Sequence, residues 1–147
     1  MRATALMLAA GLAAGFPSAA FAEVVEVKQL NAGREGTFVF EPGIVRINIG
    51  DFVKFAATDR NHQVTSVRGG IPAKAAAFNS RRNEDYILEF TVPGIYVYEC
   101  TSHRSLGMIG IVIVGNDTSN LADVKKVDLN VPLANQRLTA LVAQIGR

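Results

Sequence analysis

The reading of this chain turns on Cys100-Thr101-Ser102-His103-Arg104-Ser105-Leu106-Gly107-Met108. Strand-like sequence bounds it on both sides. Residues 95–99 run into Cys100, and residues 109–114, apolar on both faces, follow Met108. The spacing makes 100–108 a tight loop over one end of a sheet. Ser105 and Gly107 help it bend, because glycine tolerates positive φ. The loop carries a thiol, an imidazole and a thioether. Outside residues 1–22 these are the chain's only cysteine, its only methionine and one of its two histidines. The other histidine, His62, lies upstream in Thr58-Asp59-Arg60-Asn61-His62.

Outward from the loop, the chain reads as short strands. Residues 24–30 mix polar and β-branched side chains, and 37–40 follow a turn at 33–36. Glu41-Pro42-Gly43 breaks the chain. Residues 44–49 then alternate, with Val45, Ile47 and Ile49 on one face and Arg46 and Asn48 on the other. Gly50-Asp51 turns into 52–57, residues 64–67 make a short strand, and 86–92 alternate up to the Pro93-Gly94 turn. Residues 71–85 are less regular. Their alanines allow a helical turn in an otherwise long surface loop. Seven or eight short strands with Gly, Pro and Asp turns imply a mainly β fold, an antiparallel Greek-key sandwich or barrel.

The tail changes period. Thr118 or Ser119 can cap a helix running to about Lys126, and Asn130 can cap a second with Pro132 in its first turn. Leu138, Leu141, Val142 and Ile145 fall at i, i+3, i+4 and i+7, a stripe suited to covering the sheet. Two C-terminal α-helices are therefore expected.

At the other end, Arg2, the apolar run from Ala3 to Gly15 and Ala20-Phe21-Ala22 read as an export signal with its cleavage site. The expected division is residues 1–22 as signal peptide and 23–147 as one domain, with no membrane anchor after cleavage. The formal charge is +2, and +1 without Arg2. A value so near zero argues against a nucleic-acid or anionic-membrane partner. A single cysteine excludes an intramolecular disulfide. In an oxidising compartment an unpaired thiol calls for a dedicated role.

That role follows from the company it keeps. A thiolate, two imidazoles and a thioether make the ligand set of a blue-copper centre. Cu(II) favours nitrogen and Cu(I) favours sulfur. A mixed set serves both, so little rearranges when the electron moves. Cys100, His62, His103 and Met108 are the candidate ligands of one copper ion. Taken singly, each is more often a buried or solvated residue; the joint pattern decides.

These residues resemble the cupredoxins, and among them the pseudoazurins. Plastocyanin shares the Cys-x2-His-x4-Met loop. The resemblance extends to residues 38–42, 58–62, 70–72, 77–78 and 93–96 and to the C-terminal helices, covering nearly all of 23–147. It implies a cupredoxin β-sandwich and a periplasmic, monomeric one-copper carrier. Such a carrier would pass electrons to a nitrite reductase or a similar periplasmic oxidoreductase, with cytochrome c a further partner. It implies strong ligation by His62, Cys100 and His103, an axial Met108, and His103 as the exposed electron port. The chain departs from the family pattern at Ser102, commonly proline, Gln63, commonly Asn, Leu106, commonly Met, and Glu99, commonly Lys. Phe38 aligns with a position that packs near the exposed histidine, and stacking there and simple core packing stand as equal alternatives.

Around His103 the expected face is an apolar ring of Leu106, Gly107, Ile71, Pro72 and Gly43. A basic rim of Arg60, Arg68, Lys74, Arg81, Arg82 and Arg104 would surround it, with Arg60 and Arg104 foremost. Two other function classes compete with the carrier. A copper chaperone or storage protein would need spare Met or His clusters. An enzyme would need more histidines for a second centre.

Overall fold

The computed structural model describes residues 21–146. The apolar run of the export signal lies outside them. Eight strands form the body: β1 (Val24–Gly33), β2 (Gly36–Glu41), β3 (Ile44–Ile47), β4 (Phe52–Ala56), β5 (Thr65–Ser66), β6 (Tyr86–Glu89), β7 (Gly94–Glu99) and β8 (Ile109–Val114). They build two four-stranded sheets, ordered β2-β1-β4-β6 and β3-β8-β7-β5. The sandwich is mixed rather than antiparallel throughout, since β1 pairs with β4 and β3 with β8 in parallel. The chain changes sheet between β2 and β3 and again before β4. A strand reached through the opposite sheet can re-enter in the direction it left.

Two apolar layers result. Between the sheets lie Val27, Phe40, Val53, Phe55, Phe90, Tyr96, Tyr98 and Val112, together with Cys100 and Met108. On the outer face of the second sheet, Ile95, Val97, Ile109, Ile111 and Ile113 meet Val124, Leu138, Leu141 and Ile145 from the tail. Hence β8 is apolar on both faces: each face has a layer to cover it.

The inner layer has one tight register point. Tyr98 pairs with Gly110, and the tyrosine ring lies where a side chain at 110 would stand. Gly110→Ala is expected to lower stability by about 1–3 kcal/mol, as overpacking does. A denaturant midpoint unchanged from wild type would contradict this.

The tail helices are α1 (Leu121–Val124) and α2 (Pro132–Val142). The former is shorter than the sequence pattern suggests. The residue before it, Asn120, makes no side-chain cap; its amide instead brackets Ile95, accepting from the Ile95 N–H at 2.9 Å and donating to its carbonyl at 2.8 Å. Val131, not Asn130, precedes α2, with Pro132 in its first turn as expected. The helix ends at Val142, and Ile145 completes the apolar stripe from the following turn. Residues 71–85 contain no helix.

Candidate metal centre

Cys100 directly follows β7 and Met108 precedes β8, so the loop between them closes one end of the sandwich. Backbone bonds set its shape. Cys100 N–H donates to the Met108 carbonyl at 3.0 Å, and His103 N–H donates to the Cys100 carbonyl at 3.0 Å. A 3-10 turn over Arg104–Leu106 follows and ends at Gly107 with φ 77°, a left-handed conformation that suits glycine. The His103 carbonyl accepts from both Leu106 and Met108.

His62 arrives from the segment after β4. The carbonyl of His62 accepts from Asn83 N–H at 3.0 Å, and Asn61, with φ 73°, turns the chain just before it. Strand alternation on β7 points Cys100 inward. His62, Cys100 and Met108 are all fully buried, whereas His103 is only half-buried.

Three donor atoms converge. His62 Nδ1 and His103 Nδ1 are 3.1 Å apart, Cys100 Sγ is 3.5 Å from His103 Nδ1, and it is 3.8 Å from His62 Nδ1. The circumradius of a triangle with those sides is about 2.0 Å, so one point in its plane lies at that distance from all three atoms. That is a metal–imidazole bond length and slightly under a metal–thiolate one. The donor set therefore fits a single ion, and its softness fits copper. Met108 lies in the same buried cluster as Cys100.

A residue that the sequence did not flag orients His62. Asn31 Oδ1 lies 3.0 Å from His62 Nε2. An amide oxygen only accepts, so Nε2 carries the proton and Nδ1 is left with a free lone pair facing the centre. The placement has a backbone cause. The β1–β2 ladder pairs Leu30 with Val39 and Ala32 with Thr37 but skips Asn31 and Phe38. Asn31 N–H is taken by Asp59 Oδ2 at 2.6 Å, and Phe38 sits at φ 50°. The two skipped residues serve the two histidines: Phe38 packs its ring on His103, with centroids 4.6 Å apart and planes tilted by 30°.

Both imidazoles are held below their ordinary pKa. For His62 burial is the main cause, helped by His103 and opposed by Asp59. For His103 burial comes first and the charge of Arg82 second. The result favours the neutral form that ligation requires. Among the described residues, His62, Cys100 and His103 are the one group of three or more His, Cys, Asp or Glu side chains with metal-binding spacing.

The chain matches the family model for copper binding proteins of the plastocyanin/azurin family over residues 27–115. It is 41% identical to pseudoazurin of Paracoccus pantotrophus over 141 residues, covering 95% of this chain and 97% of the relative. A putative pseudoazurin of Rhizobium leguminosarum bv. viciae is also 41% identical, over 82% of this chain and 78% of the relative. The chain belongs to the pseudoazurins, within the plastocyanin/azurin family. A crystal structure of pseudoazurin from Methylobacterium extorquens AM1 superposes with a TM-score of 0.79 at 37% identity, over 83% of this chain and 98% of that one. Copper is therefore the metal of this chain, and its broad class is that of blue-copper electron carriers.

The surface near His103 differs from the expected face in three ways. Pro72 packs on Gly94, at the end of β7 farthest from Cys100, and the turn that carries Lys74 closes on the Pro72 carbonyl. Leu133 of α2 contacts Gly107 instead, so the exposed Leu106 and Leu133 form the apolar ground beside the loop. Arg104 does not stand free at a rim; it folds back onto the buried Glu99.

Proposed function

We propose that this chain is a diffusible one-electron carrier of the periplasm, with one copper ion held by His62, Cys100, His103 and Met108. The observation that carries the reading is the triangle of Nδ1, Nδ1 and Sγ atoms, buried at His62 and Cys100 and half-buried at His103, sized for one ion. When bound, copper supplies the Cu(II)/Cu(I) couple. The protein's part is to hold two neutral imidazoles and a thiol in a water-poor pocket whose scaffold is set by backbone bonds. His103 is the ligand with a path to solvent, and it is the electron port. The test is spectroscopic: copper-loaded protein should be intensely coloured, bleach reversibly with a mild reductant, and turn over no substrate alone. A colourless adduct that surrenders copper readily to a chelator would favour a chaperone or storage protein.

Docking falls on the Leu106–Leu133 patch around His103, with cations at its edge, and the partner is an acidic redox protein such as a nitrite reductase or a cytochrome c. Such encounters are small and steered by charge. Arg82 is near enough for its charge to act on His103. Arg60→Glu with Arg82→Glu should slow reduction of an acidic partner by about tenfold at low salt and flatten its salt dependence. An unchanged rate at every ionic strength would remove the cationic edge.

Export and cleavage after Ala22 gain support from the start of β1. Glu23 N donates to Asp51 Oδ1 at 2.9 Å, and Asp51 also accepts from Asn48 N–H at 2.7 Å. In a chain beginning at Glu23 that nitrogen is an ammonium, and the bond becomes charge-assisted. Asp51 is held below the usual carboxylate range, first by the Glu23 N–H and then by Asn48. Its contribution is present above its unfolded pKa of about 4 and fades as the pH falls toward the lower folded value. Asp51→Asn should lower the melting temperature of the chain that starts at Glu23 more than that of a form retaining Ala22. Equal losses would count against the ammonium pairing.

A further inference from the structure

Glu99 is a buried acid outside the donor triangle. Along β7 and into Cys100, Tyr96, Tyr98 and Cys100 face the core between the sheets, whereas Ile95 and Val97 face the helix-covered layer. Alternation sends Glu99 to that second side, where only 3% of it is exposed. One carboxylate oxygen, Oε1, pairs with Arg104 Nη2; the other, Oε2, has no partner. An apolar residue would continue the run of Ile95 and Val97 without the desolvation cost of a charge, so stability of the sheet does not account for an acid here.

Its partner's position does. Arg104 directly follows His103 and opens the 3-10 turn. The ion pair thus closes a ring over residues 99–104 that contains both Cys100 and His103. Hydrogen bonds from side chains inside that ring do not fix the turn to its strand: Thr101 is exposed, Ser102 Oγ is buried without a partner, and His103, though its ring packs on Phe38, makes no side-chain cap to the turn. We propose that Glu99 and Arg104 are positioning residues whose ion pair presets His103 for the metal. This rests on the ligand assignment above.

The test uses Arg104→Gln, with Arg104→Lys as the charge-keeping rescue. Two quantities are read: hydrogen exchange of the Leu106, Gly107 and Met108 amides in the copper-free protein, and the rate at which copper-loaded protein yields its metal to a chelator. Removing Arg104 leaves the buried Glu99 carboxylate uncompensated, which is strongly unfavourable, so both rates should rise about tenfold in Arg104→Gln and return at least halfway, on a logarithmic scale, in Arg104→Lys. A rise below about threefold in either quantity, or no recovery with lysine, overturns the proposal. Should Arg104→Gln fail to fold, Glu99→Gln removes the buried charge of the same pair, leaves only the partly exposed Arg104 unpaired, and is judged by the same limits. If Arg104 is only a docking cation, neither quantity moves and only partner rates do. Absence of colour in wild-type protein would defeat the copper-carrier reading, while the exchange measurement would still judge the clamp.

Discussion

Cys100→Ser is expected to abolish the intense visible absorption of copper-loaded protein, together with its reversible redox wave, while leaving a cooperatively folded chain. The sulfur is fully buried and lies 3.5 and 3.8 Å from the two Nδ1 atoms. A serine oxygen in its place is harder, does not ionise near neutral pH and supplies no thiolate-to-Cu(II) charge transfer. Cu(I), which favours sulfur, loses its one anionic soft donor. The fold loses little. Serine is close in size, and its hydroxyl can bond to either imidazole, so the cost of burying it stays at or below about 1–3 kcal/mol. Absorption and voltammetry of the refolded variant, with a thermal melt as control, decide the matter. An unchanged visible band in a folded Cys100→Ser protein would end the copper-thiolate account.

The sequence carried the loop well and its surroundings less well. Residues 100–108 were readable because turn formers and three donors fall between two apolar runs, a local pattern. That His62 joins them could be inferred from chemistry alone, since 38 residues separate it from Cys100 and no local signal ties them. Strand direction was not readable: parallel pairing of β1 with β4 depends on the path through the opposite sheet. Phe38 lies in a run of strand formers, yet takes a left-handed φ of 50°, a conformation that costs a residue with a Cβ about 1–2 kcal/mol. Packing on His103 and the diversion of Asn31 N–H to Asp59 hold it there, and both are tertiary. Arg104 looked like a rim cation because nothing in the sequence says that its neighbour across five residues is buried. Asn120 carries no signal in the sequence, and only the fold shows its amide spent on Ile95.

Asn31→Ala should weaken copper binding by about 10–100-fold, the usual cost of deleting a partner that orients a ligating histidine. Asn31 is exposed and 31 residues from His62, and it belongs to a strand otherwise occupied with sheet pairing. Its effect on stability should be small, because its backbone N–H keeps the Asp59 bond whatever the side chain. Its effect on the site should not be small. Without an acceptor at Nε2 the His62 ring loses the bond that fixes both its rotation and its tautomer, and part of the metal-free population then carries its proton on Nδ1 and cannot ligate until it moves. Asn31→Asp keeps an acceptor there and should bind at least as tightly as wild type. Competition titrations against a chelator of known affinity would measure both variants. If Asn31→Ala binds within about threefold of wild type, His62 is oriented by its own backbone and the buried walls around it, and the Nε2 bond is incidental.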